Sequence, residues 1–227
     1  MKLHDFTTAA LIAKSCLLML PVLLNDCHAR EVSVTRLLGV NNTIPIKSWK
    51  TMRDAQVVKQ EFDYSCGAAS LATILRYYYG KSVSEKDVLQ YMTEGISSFM
   101  DMASASKHFG FKGIGLSVTW DQLTKLKIPV IAHLSIDDRD HFSVIRGVDN
   151  DTVILADPSN GNRQYSKHRF ITMWTDTNHN PGRGRILVLL PTNEHTKPIN
   201  GFFTNHPHNI SNIARMHIML ESFMNHR

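Results

Sequence analysis

The stretch Gln60-Glu61-Phe62-Asp63-Tyr64-Ser65-Cys66-Gly67-Ala68-Ala69-Ser70-Leu71 sets a glutamine, five intervening residues and a cysteine ahead of a run of small residues. From Cys66 onward, Ala68, Leu71, Ala72 and Leu75 recur at helical spacing as far as Tyr77-Tyr78-Tyr79, and Gly80 supplies the stop. The predicted helix is apolar enough to be central. Cys66 would open it, where unpaired backbone N–H groups and the positive end of the helix dipole favour a thiolate. The Cys66 N–H can also point at the oxygen of an attacked carbonyl, and Gln60 is placed to supply a second donor. An inert buried thiol is the plain alternative, since free cysteines are common in cores. Such a residue has no use for the glutamine.

Three further helices follow. Ser84-Glu85-Lys86-Asp87 ahead of Val88, Leu89 and Met92 has the form of a capping box. A helix is expected from about Ser98 to Phe109, ended by Gly110, and Thr119 can cap a short one through Leu123 and Leu126 that Pro129 terminates. The pattern then becomes extended: Val130 to Ile136, His141 to Val148, Thr152 to Asp157 and Ile186 to Leu190 are rich in β-branched residues and bounded by turn material. Helices first and strands later predict an α+β fold, with the cysteine-bearing helix packed on a mainly antiparallel sheet.

A thiol nucleophile needs a base. His141 opens a strand after the polar turn Asp137-Asp138-Arg139-Asp140, and its strand can pair with Thr152 to Asp157 through the Asp149-Asn150 region. With two or three central turn residues, residue 141 falls opposite 157 or 158, so Asp157 can orient the imidazole. Each member has a bland reading: a solvent-facing histidine, an Asx turn at Asp157-Pro158, a surface glutamine. Together, Cys66, His141, Asp157 and Gln60 supply nucleophile, base, orienter and oxyanion donor. His133, inside an apolar strand, reads as a hydrogen-bonded interior residue, and Asn160 would replace Asp157 only if the hairpin slipped. His206-Pro207-His208, with His195 and His217, lacks a carboxylate or cysteine at ligand spacing. No metal and no cofactor is expected.

Residues 1–29 carry Lys2 and Lys14 around an apolar run and close with Cys27-His28-Ala29 before Arg30, the grammar of an export signal cleaved after Ala29. The run is short for a membrane span, and neither Cys16 nor Cys27 has a lipoprotein context. Removal leaves the formal charge at +5 and Cys66 as the lone cysteine, so no intramolecular disulfide is expected. Charges are scattered rather than blocked, which argues against nucleic-acid binding. The organisation read from this is a signal at 1–29, an irregular arm at 30–54, a catalytic domain at 55–191 and a tail at 192–227, with Ile213, Met216, Leu220 and Met224 at helical spacing. Stable membrane insertion after cleavage is not expected.

At these residues the chain resembles the bacteriocin-processing cysteine peptidases, family thirty-nine of that class. The matching stretches are Gln60 to Leu75, Ile128 to Leu134, His141 to Ile145, Leu155 to Pro158, Arg169 to Trp174 and Arg185 to Leu190. The resemblance implies a papain-like fold with Cys66 as nucleophile, His141 as base, Asp157 as orienting acid and Gln60 at the oxyanion hole. It also implies a polypeptide substrate. Many members are domains of ABC exporters; this chain shows no Walker A motif and carries its own export signal, so a stand-alone periplasmic or secreted member is expected. Tyr64-Ser65 stand where exporter-linked members often have an acidic residue. The leading expectation is an exported cysteine peptidase. Transpeptidase or amidase chemistry on the same thiol, or a non-catalytic peptide-binding module, are the alternatives.

Overall fold

The computed structural model describes residues 48–207, apart from 94, 96, 138 and 176–180. The expected signal segment, most of the arm and the C-terminal helix lie outside the described residues. The fold is α+β and papain-like. Six strands, β1 (Phe111–Thr119), β2 (Val130–Ile136), β3 (Arg139–Val148), β4 (Thr152–Asp157), β5 (Gly161–Ser166) and β6 (Arg183–Pro191), form one antiparallel sheet in the order β1-β6-β2-β3-β4-β5. The helices are α1 (Trp49–Arg53), α2 (Cys66–Thr73), α3 (Glu85–Leu89), α4 (Phe99–His108), α5 (Trp120–Leu123) and α6 (Lys167–Trp174).

Side-chain alternation splits the core into two layers. Ile131, Phe142, Val144, Ala156, Leu187 and Leu189 pack with α2, while Ala132, Leu134, Ile145, Leu155, Ile186 and Val188 pack with α6. Ile145 and Val148 lie three apart on β3 yet belong to the same layer. The cause is a bulge: the β3–β4 register shifts between Ile145 and Gly147, leaving Arg146 as the extra residue. The Arg146 carbonyl is not orphaned, because it accepts from Thr204 N–H at 3.0 Å, and Val148 N–H donates to the Thr204 carbonyl at 3.1 Å.

Every residue of α2 is buried. That demands close neighbours, and Gly67 admits them: a Cβ there would lie 2.9 Å from Ser97 Cβ and 3.2 Å from Met102 Sδ. The expected single helix to Tyr79 is in fact two conformations, since the chain widens to a π-turn over Ile74–Tyr78. Tyr79 then donates to the Leu189 carbonyl at 2.9 Å, tying the helix end to the sheet.

Both expected caps are present: Ser84 with Asp87, and Thr119 with Gln122. The second helix ends at Leu89, short of Met92. Four elements depart from the sequence reading. Residues 49–53 of the arm are helical, β1 and β5 extend the sheet on both edges, and α6 precedes β6. β1 is hidden by Gly113 and Gly115, poor strand formers. Gly113 is required by packing, because a Cβ would sit 2.7 Å from Ala103 Cα of α4.

Candidate active site

Cys66 is the first residue of α2 and is 5 % exposed. Ser65 precedes it at the N-cap but makes no side-chain cap bond. Its hydroxyl is committed to Phe62, accepting from the N–H at 3.1 Å and donating to the carbonyl at 2.8 Å. The helix start therefore keeps its backbone donors clear of a side-chain cap. The same bonds fold residues 62–65 into a tight turn between Gln60 and the helix.

Gln60 is held by three hydrogen bonds. Its N–H donates to the Pro158 carbonyl at 3.2 Å, its Nε2 donates to the Phe62 carbonyl at 2.8 Å, and its Oε1 accepts from Ser159 Oγ at 2.6 Å. Next to it, the Glu61 N–H is gripped by both carboxylate oxygens of Glu85, at 3.1 and 3.0 Å. A primary amide has two N–H donors, and the one not aimed at Phe62 has no partner among the described residues.

His141 Nε2 lies 2.7 Å from Asp157 Oδ2, which leaves Nδ1 as the ring atom for the thiol. Burial disfavours a charged imidazole here. The hydrogen bond to Asp157 and its charge, together with the neighbouring Cys66, outweigh it and raise the ring from 6.5 to about 9. Asp157, 4 % exposed, is likewise disfavoured as an anion by burial, but His141 and the N–H groups of Asn160 and Ser159 hold it below the usual carboxylate range.

The turn is centred on Asn150-Asp151, where Asp149 N–H bonds the Thr152 carbonyl at 3.0 Å, one residue later than expected. The bulge at Arg146 takes one residue back. Val144 therefore opposes Ala156, and continuing that register sets Asp157 opposite Ser143 and diagonal to His141. The expected Asx turn and the expected orienting bond coexist: Asp157 Oδ1 accepts from Ser159 N–H at 2.9 Å and Asn160 N–H at 2.7 Å, while Oδ2 takes the histidine. Asn160 bonds Asp157, not His141. His133 is engaged elsewhere, by Asp140 at 2.8 Å and Arg185 at 3.0 Å. A cleft of about 370 Å³ is lined by Gln60, Asp63, Asp140, His141, Ser159 and Asn160 among others. Cys66 is not one of its wall residues.

The peptidase C39 family model matches residues 54–178, more than half of the chain. The chain belongs to the peptidase C39 family. It is 32 % identical over 175 residues to a "probable functional amyloid protease", FapD, of Pseudomonas fluorescens, covering 71 % of this chain and 75 % of that one. FapD of Pseudomonas aeruginosa is 34 % identical over 139 residues, 57 % of this chain and 61 % of that one. Among solved structures, a double glycine motif protease from an AMS/PCAT transporter, in complex with its leader peptide, matches with a TM-score of 0.51 and 27 % identity over 60 % of this chain and 91 % of that one. The peptidase domain of Streptococcus ComA matches in fold, with a TM-score of 0.51 over 60 % of this chain and 97 % of that one, at 24 % identity.

This C39 peptidase is a cysteine-type peptidase acting on polypeptide. Around its cleft the sequence reading passed over three residues. Ser159 and Glu85 each touch the Gln60 segment from afar, and Ser143 lies buried two residues from His141 with a hydroxyl that has no hydrogen-bond partner among the described residues. A buried acid opening a helix and a serine after Asp-Pro are ordinary cap and turn signals. Nothing local distinguishes them.

Proposed function

We propose that Cys66, His141, Asp157 and Gln60 form the catalytic machinery of an exported peptidase. His141 Nδ1 takes the Cys66 proton, and the sulfur attacks the scissile carbonyl. As the S–C bond forms, the carbonyl π pair moves onto oxygen, where the Cys66 N–H and the uncommitted Gln60 N–H stabilise it. His141 returns the proton to the leaving amine as the C–N bond breaks. Water, deprotonated by the same ring, then hydrolyses the thioester. Asp157 keeps the ring oriented and favours its imidazolium form.

The observation that carries this reading is the His141–Asp157 bond of 2.7 Å on a ring whose basicity is also raised by Cys66. Likeness to FapD supports a substrate among the polypeptides of a functional amyloid system. The signal grammar of residues 1–29 supports export, with the mature protein in the periplasm or outside the cell and the catalytic domain at 55–191. The test is alkylation of Cys66 in the mature protein across pH. Rapid reaction below neutrality that His141→Ala abolishes is the expected result. Free-thiol behaviour with no His141 effect overturns the assignment. Amino-terminal sequencing of the exported protein should begin at Arg30.

A further inference from the structure

Residues 158–160 touch both ends of the proposed machinery. The Pro158 carbonyl accepts from Gln60 N–H at 3.2 Å, and Ser159 Oγ donates to Gln60 Oε1 at 2.6 Å. From the same short loop, Ser159 and Asn160 N–H groups donate to Asp157 Oδ1 at 2.9 and 2.7 Å. The loop is itself pinned, because Lys59 Nζ donates to the Ser159 carbonyl at 2.6 Å.

A serine hydroxyl can donate or accept, but an amide oxygen only accepts. The Phe62 carbonyl, which also only accepts, fixes the end facing it as Nε2, and Ser159 therefore donates to Oε1 and holds the amide in that sense from the other side. Nε2 keeps one N–H to give. An amide turned over would present lone pairs to a developing negative charge. Its orientation matters to an oxyanion and is indifferent to the thiol.

We infer that Ser159 is a positioning residue: its hydroxyl orients the Gln60 amide as oxyanion donor, and its backbone N–H locks that donor into one frame with Asp157. The inference rests on the reading of Gln60 as an oxyanion donor. It adds a residue outside the triad to the determinants of acylation.

The test pairs two probes on the full chain. Iodoacetamide reads the thiol with no charge developing on a carbonyl oxygen. A peptide aldehyde ending in Gly-Gly, chosen for the double glycine protease described above, forms an S–C bond and places its carbonyl oxygen in the oxyanion site. Ser159→Ala should weaken aldehyde binding about tenfold, the effect of one lost hydrogen bond, while alkylation keeps its wild-type rate; Ser159→Thr should restore binding. Gln60→Ala should weaken the aldehyde at least as much, with no further loss in the double variant. If Gln60→Ala weakens the aldehyde but Ser159→Ala does not, the inference fails and the oxyanion reading stands. If Ser159→Ala slows both probes together, its role is structural and the inference fails. If Gln60→Ala has no effect, or the wild type does not bind the aldehyde, the oxyanion reading falls and the inference with it.

Discussion

His141 Nε2 and Asp157 Oδ2 stand 2.7 Å apart across the β3–β4 hairpin, offset by two positions along the ladder, with Oδ1 of the same carboxylate closing the turn at Ser159 and Asn160. One side chain thus serves catalysis and loop structure with different oxygens. Asp157→Asn keeps an acceptor for the turn but loses the charge that favours imidazolium, whereas Asp157→Ala loses both. Asn should cut kcat by about 10²- to 10⁴-fold with a small change in Tm. Ala should match that loss and also destabilise by about 1–3 kcal/mol, because it strands two backbone N–H groups. Equal stability losses in the two variants would show that the turn does not depend on Oδ1. Peptide hydrolysis and thermal unfolding measure the pair.

The raised proton affinity of His141 has a definite sign. Its ring, lifted from 6.5 to about 9, contributes stability that is fully present below pH 6.5 and is lost as pH climbs through 9. The lowered Asp157 acts in reverse, stabilising the fold above the ordinary carboxylate value of 3.8 and failing as pH falls through its depressed one. Chemical-denaturation midpoints should therefore hold across mildly acidic pH and decline toward pH 9. In kcat/KM, the basic limb should lie near 9 in the wild type, and Asp157→Asn should move it to lower pH. A basic limb that stays in place in Asp157→Asn contradicts the assignment of Asp157 as the cause.

How far the chain could be read depends on the range of each interaction. β2, β3 and β4 are legible because Val130 to Ile136 and Thr152 to Asp157 carry their own β-branched pattern. The central helix is legible from Ala68, Leu71, Ala72 and Leu75. β1 is not, because its glycines answer to α4 packing rather than to strand propensity. The order of the hairpin strands is a local property, but their register turns on a bulge whose exposed carbonyl is satisfied by Thr204, far along the chain. At the site, Cys66 and Gln60 are close in sequence and could be paired by inspection. Ser159 lies 99 residues from the Gln60 it holds, and no local signal marks that contact.

Glu85 offers a prediction at a distance from the thiol. It is 4 % exposed and spends both carboxylate oxygens on the Glu61 N–H, immediately beside Gln60. Removing it orphans that donor. Glu85→Ala should destabilise by about 1–3 kcal/mol and lower kcat, with Glu85→Gln intermediate because one acceptor oxygen survives. Urea unfolding and steady-state hydrolysis read the two effects. Wild-type kcat in a correctly folded Glu85→Ala protein would mean that the Gln60 segment is held without it.

Ser143 separates chemistry from packing beneath His141. Its Oγ is fully buried and lacks a hydrogen-bond partner among the described residues, and across the β2–β3 ladder it faces Ala132, which offers no polar group. A buried hydroxyl without a partner is a net cost. Ser143→Ala should therefore be neutral or stabilising, by up to about 1 kcal/mol, with kcat unchanged. Ser143→Val keeps the site apolar but adds volume against a residue that is 0 % exposed, and should cost about 1–3 kcal/mol through overpacking. If Ser143→Ala instead loses activity while its Tm is maintained, the hydroxyl serves Asp157 during turnover, directly across the hairpin, and the acid has a donor that the resting geometry leaves unused.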